Sequence, residues 1–223
     1  MGLDNENAAR LVFDIETFAL DDAGNYLEPP TAPANYKDPQ KIADYIAEKL
    51  ASQVDRAALD PDLCRVVALG VLSERDDAPK VWVAREGDTA AEAAMLTRFW
   101  QLVGDRPLVG FNILGFDLPV LLRRSLYLDV PRPRIQIDRF KHPQVIDLMQ
   151  DLAFGRIEFT RSLDFYSKRF GFGIEDDLTG ADIAAAVRAG EWDRVEAHVT
   201  ADVRKTAALA AKLGVFRSEA VSA

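Results

Sequence analysis

Near the start of the chain, residues 11–16 read LVFDIE and set two carboxylates, Asp14 and Glu16, inside an apolar run of Leu, Val, Phe and Ile. β-Branched and aromatic residues in such a run predict a buried strand. Strand residues two apart face the same way, so both acids project from one face, about 7 Å apart. Two like charges on a dry surface are costly unless something cationic sits between them. Hard divalent cations such as Mg²⁺ or Mn²⁺, which take oxygen ligands, meet that need. The alternative is a strand at a sheet edge with its acids in water.

The elements that follow restrict the fold further. Residues 65–74 and 80–86 are two more apolar runs around a polar, proline-containing turn, predicting an antiparallel pair. Helical spacing recurs over 89–103, a short buried strand over 107–112 and a helix over 117–128, whose Pro119 falls in its first turn. Residues 130–140 are expected as loop or short strand and 145–154 as another short element, followed by helical stretches over 160–170, 180–189 and 191–213. This order predicts an α/β protein with some antiparallel pairing. A single domain is expected over 11–213, between a disordered N-terminus (1–10) and a C-terminal tail (214–223). Within it, residues 21–62 read as an insertion: Pro29, Pro30, Pro33 and Pro39 mark irregular chain, then Ile42, Tyr45, Ile46, Leu50 and Val54 form the stripe of a helix over 41–58.

Composition excludes several classes. A lone cysteine, Cys64, allows neither a disulfide framework nor, by itself, a zinc site. The longest apolar stretch, around 66–72, is far short of a membrane span, and the first ten residues are acidic and lack the apolar core of a secretory signal. A cytoplasmic protein is expected. A net charge of −9 argues against a protein that coats nucleic acid with a basic surface.

Other acids join the first two. Asp117 closes GFNILGFD (110–117) at a predicted strand-to-helix junction, where an α/β sheet places its chemistry. A helix N-cap is the bland alternative. His198 and Asp202 lie four apart in a helical stretch and share a face: the aspartate can complete a metal site while the histidine takes a proton from an attacking water. A solvated pair on a helix exterior is equally compatible. Four carboxylates from three segments suit two-metal phosphoryl transfer, with cations about 3.5–4 Å apart. No P-loop, GxGxxG, HExxH or GxSxG occurs.

FDIET (13–17), GFNILGFDLPVL (110–121) and HVTADV (198–203) resemble, in order, the three motifs of the DEDD superfamily of 3′–5′ exonucleases. The chain is most similar to the exonuclease domain of family-B DNA polymerases, here free-standing, and 145–152, 162–172 and 179–183 also look like that group. The resemblance implies a ribonuclease-H-like fold with a mixed sheet of about five strands flanked by helices. It also implies two divalent metals, Mg²⁺ or Mn²⁺, held by Asp14, Glu16, Asp117 and Asp202. Thr17 and Phe18 would border the terminal nucleotide, and Asn112 and Phe116 would line its sugar and base. One feature departs from the pattern: His198 stands at the spacing where the superfamily places a tyrosine, which gives it the expected role of orienting or deprotonating the attacking water.

The expected partner is the 3′ end of single-stranded nucleic acid, with DNA favoured over RNA by the polymerase-like resemblance alone. Residues 123–142 carry six basic side chains (Arg123, Arg124, Arg132, Arg134, Arg139 and Lys141) against Asp129 and Asp138, a net +4 in an acidic chain. This loop, with His142 beside it, is expected to hold phosphates near the site, with Arg123 and Arg124 binding substrate, or else merely to keep a surface loop soluble. The insertion, following Phe18 closely, is either a flap over the 3′ end or a helix packed on the sheet. Competing readings are an exoribonuclease of the same superfamily and a non-catalytic nucleic-acid-binding protein of the same fold.

Overall fold

The computed structural model describes residues 9–85, 88–137 and 143–217. Five strands, β1 (Leu11–Ala19), β2 (Cys64–Ser73), β3 (Lys80–Val83), β4 (Leu108–Gly110) and β5 (Val145–Asp147), form one mixed sheet in the order β3-β2-β1-β4-β5. β1–β2 and β2–β3 are antiparallel, whereas β1–β4 and β4–β5 are parallel. Seven described helices flank it: α1 (Pro39–Arg56), α2 (Thr89–Val103), α3 (Asp117–Tyr127), α4 (Leu148–Ala153), α5 (Leu163–Phe170), α6 (Ile183–Ala189) and α7 (Trp192–Lys212). This is the α/β arrangement that the element order predicts, and it agrees with the ribonuclease-H-like fold that the resemblance implies.

Alternation along β1 builds both layers. Leu11, Phe13 and Ile15 pack with Leu69 and Val71 of β2 against Met95, Leu96, Phe99 and Trp100 of α2 and Leu118 and Leu121 of α3. Val12, on the opposite face, packs with Leu72 and Val109 against Val203, Ala207 and Ala210 of α7. A register shift in the β1–β2 pairing leaves Val67 without a partner on β1, so Val67 and the adjacent Ala68 both join the cluster under α6 and α7. β1 is therefore the middle strand, buried on both faces, which removes the edge-strand alternative for Asp14 and Glu16.

Several elements differ in extent from the sequence reading. The strand expected over 107–112 shortens to Leu108–Gly110 because the chain turns at once into the loop that begins α3. Residues 145–154 split into β5 and α4, with the Asp147 carboxylate accepting from the Met149 amide at the junction. α5 starts at Leu163, where the Ser162 hydroxyl accepts the Phe165 amide. α1 forms as expected, started by Pro39 and capped by Asp38, but none of its residues is fully buried. Its C-terminal end leans on a small alanine cluster (Ala19, Ala23, Ala57) and ties to α6 through Arg188 and Asp55. Residues 130–137 are coil, while Asp138, Arg139, Lys141 and His142 lie outside the described residues, as do 1–8 and 218–223 of the expected termini. Phe216, assigned to the tail from sequence, is buried against the α7 face. Cys64 is buried, and burial pushes its thiol up to about 12, too high for a nucleophile. No helix among the described residues is long and apolar enough to cross a membrane.

Candidate active site

Asp14 and Glu16 follow Val12 on the β1 face that meets α7. Opposite Asp14 in the register stands Gly70 of β2. A Cβ at Gly70 would lie 2.7 Å from Val203 Cγ2 and 3.4 Å from the Val199 carbonyl oxygen, so the missing side chain is what lets α7 settle onto the sheet beside the acids.

Asp117 arrives from the other side, through the turn after β4. Asn112 takes a left-handed conformation (φ 61°), and the amides of Gly115 and Phe116 donate to its carbonyl. A Cβ on Gly110 would strike Ile113 Cγ2 at 2.2 Å, so the tight turn needs glycine there. Asp147 ties the loop down: its carboxylate accepts from the amides of Asn112 (2.9 Å), Leu114 (3.0 Å) and Met149 (3.0 Å). Asp117 is the first residue of α3, after an N-cap position occupied by Phe116 that makes no side-chain cap, so the capping alternative is not realised. Its carboxyl is buried and interacts with the backbone amide of Ile15 on β1.

α7 supplies His198 and Asp202, and neither reads as a solvated exterior pair: His198 is 3% exposed. His198 Nδ1 lies 2.9 and 3.0 Å from the two oxygens of Asp176, and its Nε2 lies 3.4 Å from Glu16 Oε1 and 3.8 Å from Asp202 Oδ2. An ionised Asp176 can only accept, so it keeps the proton on Nδ1 and turns Nε2 toward the acids. Lys205, one turn beyond Asp202 and 2% exposed, spends its three N–H donors on Asp164 (2.7 Å), Asp176 (2.6 Å) and Asp202 (2.8 Å). Sequence reasoning missed Asp147, Asp164, Asp176 and Lys205. The i,i+3 spacing of Asp202 and Lys205 was the available signal for the lysine.

The electrostatics bring the segments together. Asp14 is held well above the usual carboxylate range, first by burial and then by Asp202, Asp117 and Glu16, with Lys205 pulling the other way. Glu16 is raised likewise by burial, Asp202, Asp117 and Asp176. Burial lifts Asp117 to about 7, against its backbone hydrogen bonds and with Asp147 and Asp202 adding to the rise. Asp202 is also raised, burial outweighing the help of His198 and Lys205. Asp176 goes the other way: despite burial, hydrogen bonds from Lys205 and His198 hold it below the usual range. Carboxylates gathered from three segments in one half-buried to buried region, each raised first by burial, offer the oxygen ligands that a hard divalent cation takes. Glu16, His198 and Asp202 each offer a ligand atom within 4.8 Å of the others. Asp164, Asp176 and Asp202 do so too, but they already surround the Lys205 ammonium. A cleft of about 540 Å³ reaches this floor, lined by Asp14, Asp202, Phe111, Asn112, Met149 and residues 160–163.

The remaining predicted residues divide. Asn112 lines the cleft. Phe116 packs half-buried against the α2–α3 core cluster. The Thr17 hydroxyl donates to the Ala58 carbonyl at 2.6 Å, and the Phe18 ring lies under the guanidinium groups of Arg65 (5.2 Å) and Arg188 (5.5 Å). The two arginines read from sequence as substrate contacts are placed elsewhere. Arg124 is buried and bonds Glu92 of α2 twice, Nε–Oε1 at 2.8 Å and Nη2–Oε2 at 2.7 Å. Arg123 pairs with Asp62 at the surface. Asp62 and Arg124 line a separate cavity with Tyr26 and Tyr127. Arg124 sits at i+3 from Leu121 and i+4 from Val120, on the core face of α3, and this explains the difference.

A family model described as a predicted 3′–5′ exonuclease related to the exonuclease domain of PolB matches residues 58–221. The match includes Asp117, His198 and Asp202 and begins after β1, leaving Asp14 and Glu16 outside it. No curated protein matches the chain. Among solved structures, the family B DNA polymerase from the hyperthermophilic archaeon Pyrobaculum calidifontis is similar, with a TM-score of 0.61 and 21% identity over 92% of this chain. The chain spans 24% of that polymerase, and at this identity the likeness bears on the fold alone.

Proposed function

Because the chain belongs to the family of predicted 3′–5′ exonucleases related to the exonuclease domain of PolB, we propose that it is a two-metal 3′–5′ exonuclease. Its substrate is the 3′ end of single-stranded DNA, from which it releases nucleoside monophosphates. The observation that carries this reading is the gathering of Asp14, Glu16, Asp117 and Asp202, from β1, α3 and α7, in one region where burial raises every carboxyl and Asp14, Glu16 and Asp117 are raised further by other acids of the group. These four would hold the cations, Mg²⁺ or Mn²⁺. When bound, such a pair supplies the positive charge that steadies the attacking and leaving oxygens of a phosphodiester. His198, oriented by Asp176, presents Nε2 beside Glu16 and Asp202, where it orients or deprotonates the attacking water. Lys205 fixes Asp202 and Asp176 relative to each other. Phe111 and Asn112 line the entrance that a terminal nucleotide would use.

The test is incubation of the protein with 3′- and 5′-labelled single-stranded DNA and RNA in Mg²⁺, Mn²⁺ or EDTA. A ladder shortening from the 3′ end of DNA, absent in EDTA and in Asp14→Asn, is expected. Preferential shortening of RNA would move the reading to an exoribonuclease, and intact oligonucleotide in every metal would end it.

A further inference from the structure

One aromatic ring, Phe111, lines the acid-floored cleft, and a series of rings continues outward from it. Phe111 faces Tyr166 at 6.1 Å between ring centroids. Tyr166 then stacks on Phe170 (6.4 Å, planes 20° apart) and Phe170 on Phe172 (5.7 Å, 22°). Phe165 sits edge-on to Tyr166 at 5.6 Å. Phe159 directly precedes the cleft residues 160–163 in the chain. Phe159, Phe165 and Phe170 are 66%, 46% and 41% exposed. Burying a phenylalanine side chain is worth about 1.5–3 kcal/mol, so several left half in water beside one cleft mark a contact surface rather than scattered surface residues.

Positive charge accompanies the rings. The Arg156 guanidinium lies 4.4 Å from the Phe159 centroid and the Lys212 ammonium 5.8 Å from that of Phe170. Arg161, which lines the cleft, Lys168 and Arg169 are exposed in the same stretch. In a chain of net charge −9 this is a local exception. Rings interleaved with cations are the chemistry that binds unpaired nucleotides: each base offers a π-face whatever its identity, and each phosphate offers a charge. A duplex keeps its base faces covered and finds nothing to stack on.

We propose that the surface of α5 and the turn before it, from Phe159 to Phe170, is the track along which a single strand lies upstream of its 3′ end. Its bases stack on Phe159, Phe165 and Phe170, and Arg161, Lys168 and Arg169 take its phosphates. The position of the 3′ end at Asp14 and Asp202 rests on the nuclease reading above, whereas the stacking surface is tested by binding alone.

The experiment is fluorescence anisotropy in EDTA with 5′-labelled oligothymidylates of 4, 8 and 16 nucleotides and a 16-base-pair duplex, on wild type, Phe165→Leu, Phe170→Leu and Phe165→Tyr. Affinity is expected to rise with length for the single strands and to be weakest for the duplex. Each leucine variant should lose about tenfold on the 16-mer, while the tyrosine variant, which keeps a ring, stays near wild type. Arg161→Ala with Lys168→Ala should flatten the salt dependence. Leucine variants that bind the 16-mer as tightly as wild type, with unchanged circular dichroism, overturn the proposal. So does a wild type that prefers duplex, or one that dimerises through these rings and releases as monomer when they are replaced. Length-dependent binding without cleavage in Mn²⁺ would remove the nuclease reading and leave the track standing. Cleavage that the leucine variants leave intact, together with unaltered binding, would do the reverse.

Discussion

The two faces of the sheet bury carboxylates in opposite ways. On the α2–α3 face, Glu92 accepts two hydrogen bonds from Arg124 and one from the Val66 amide (2.9 Å), so every oxygen has a donor and the charge is matched. On the α7 face, Asp14, Glu16, Asp117 and Asp202 share a region whose nearest ammonium, on Lys205, already divides itself among three aspartates. The first arrangement is closed and holds the fold together. The second is unbalanced, and the missing balance is a standing affinity for positive charge.

Substitutions separate the two. Asp14→Asn and Asp202→Asn should each reduce nuclease activity about 10³-fold or more, equal to ~4 kcal/mol of transition-state stabilisation, while leaving the melting temperature in EDTA unchanged or higher. An active Asp14→Asn protein, or one that melts well below wild type, would erase the contrast. Arg124→Met strands Glu92 and should cost about 3–5 kcal/mol in urea unfolding, with activity per folded molecule retained. Adding Glu92→Leu to it should recover part of that loss, the Val66 amide being left without its acceptor.

pH sharpens the same contrast by on the order of a few kcal/mol. Asp117 is raised from 3.8 to about 7, and Asp14, Glu16 and Asp202 are raised too, so between pH 4 and 7 the folded protein binds more protons than the unfolded chain. Stability in EDTA must therefore fall as pH rises through this window, with Asp176, held low, opposing it only at the acid end. Chemical denaturation at pH 5 and pH 8 should show the loss, and Mn²⁺ should reverse it at pH 8. The smallest effect expected is from Gly70→Ala, at about 1–3 kcal/mol, because the new methyl meets Val203 at 2.7 Å. Since α7 carries Asp202, its activity should drop more than its stability, comparing specific activity with melting temperature.

The contrast also shows which features could be read before any coordinates. Asp14 and Glu16 announce themselves because period-two alternation fixes their face and the surrounding Leu, Val, Phe and Ile fix their burial. Asp117 and Asp202 follow from their places at a strand–helix junction and on an i,i+4 helix face. Asp176 is different: it lies in coil, 22 residues before His198, with no periodicity to give it a direction. Charge patterning misled for Arg124, since adjacent Arg123 and Arg124 look alike by composition and only helical phase assigns one to solvent and the other to the core. Aromatic spacing around α5 gave no hint of exposure, because Tyr166 and Phe170 stand four apart, the spacing of a buried helix face.

β4 pairs with β1 through only two residues, Leu108 with Leu11 and Val109 with Val12, before the chain swings away. The Ile15 amide, which a longer β4 would engage, is left to the Asp117 carboxylate. The brevity of this strand thus acts as a ruler. One added residue between Gly110 and Asp117 would rotate the aspartate off its perch.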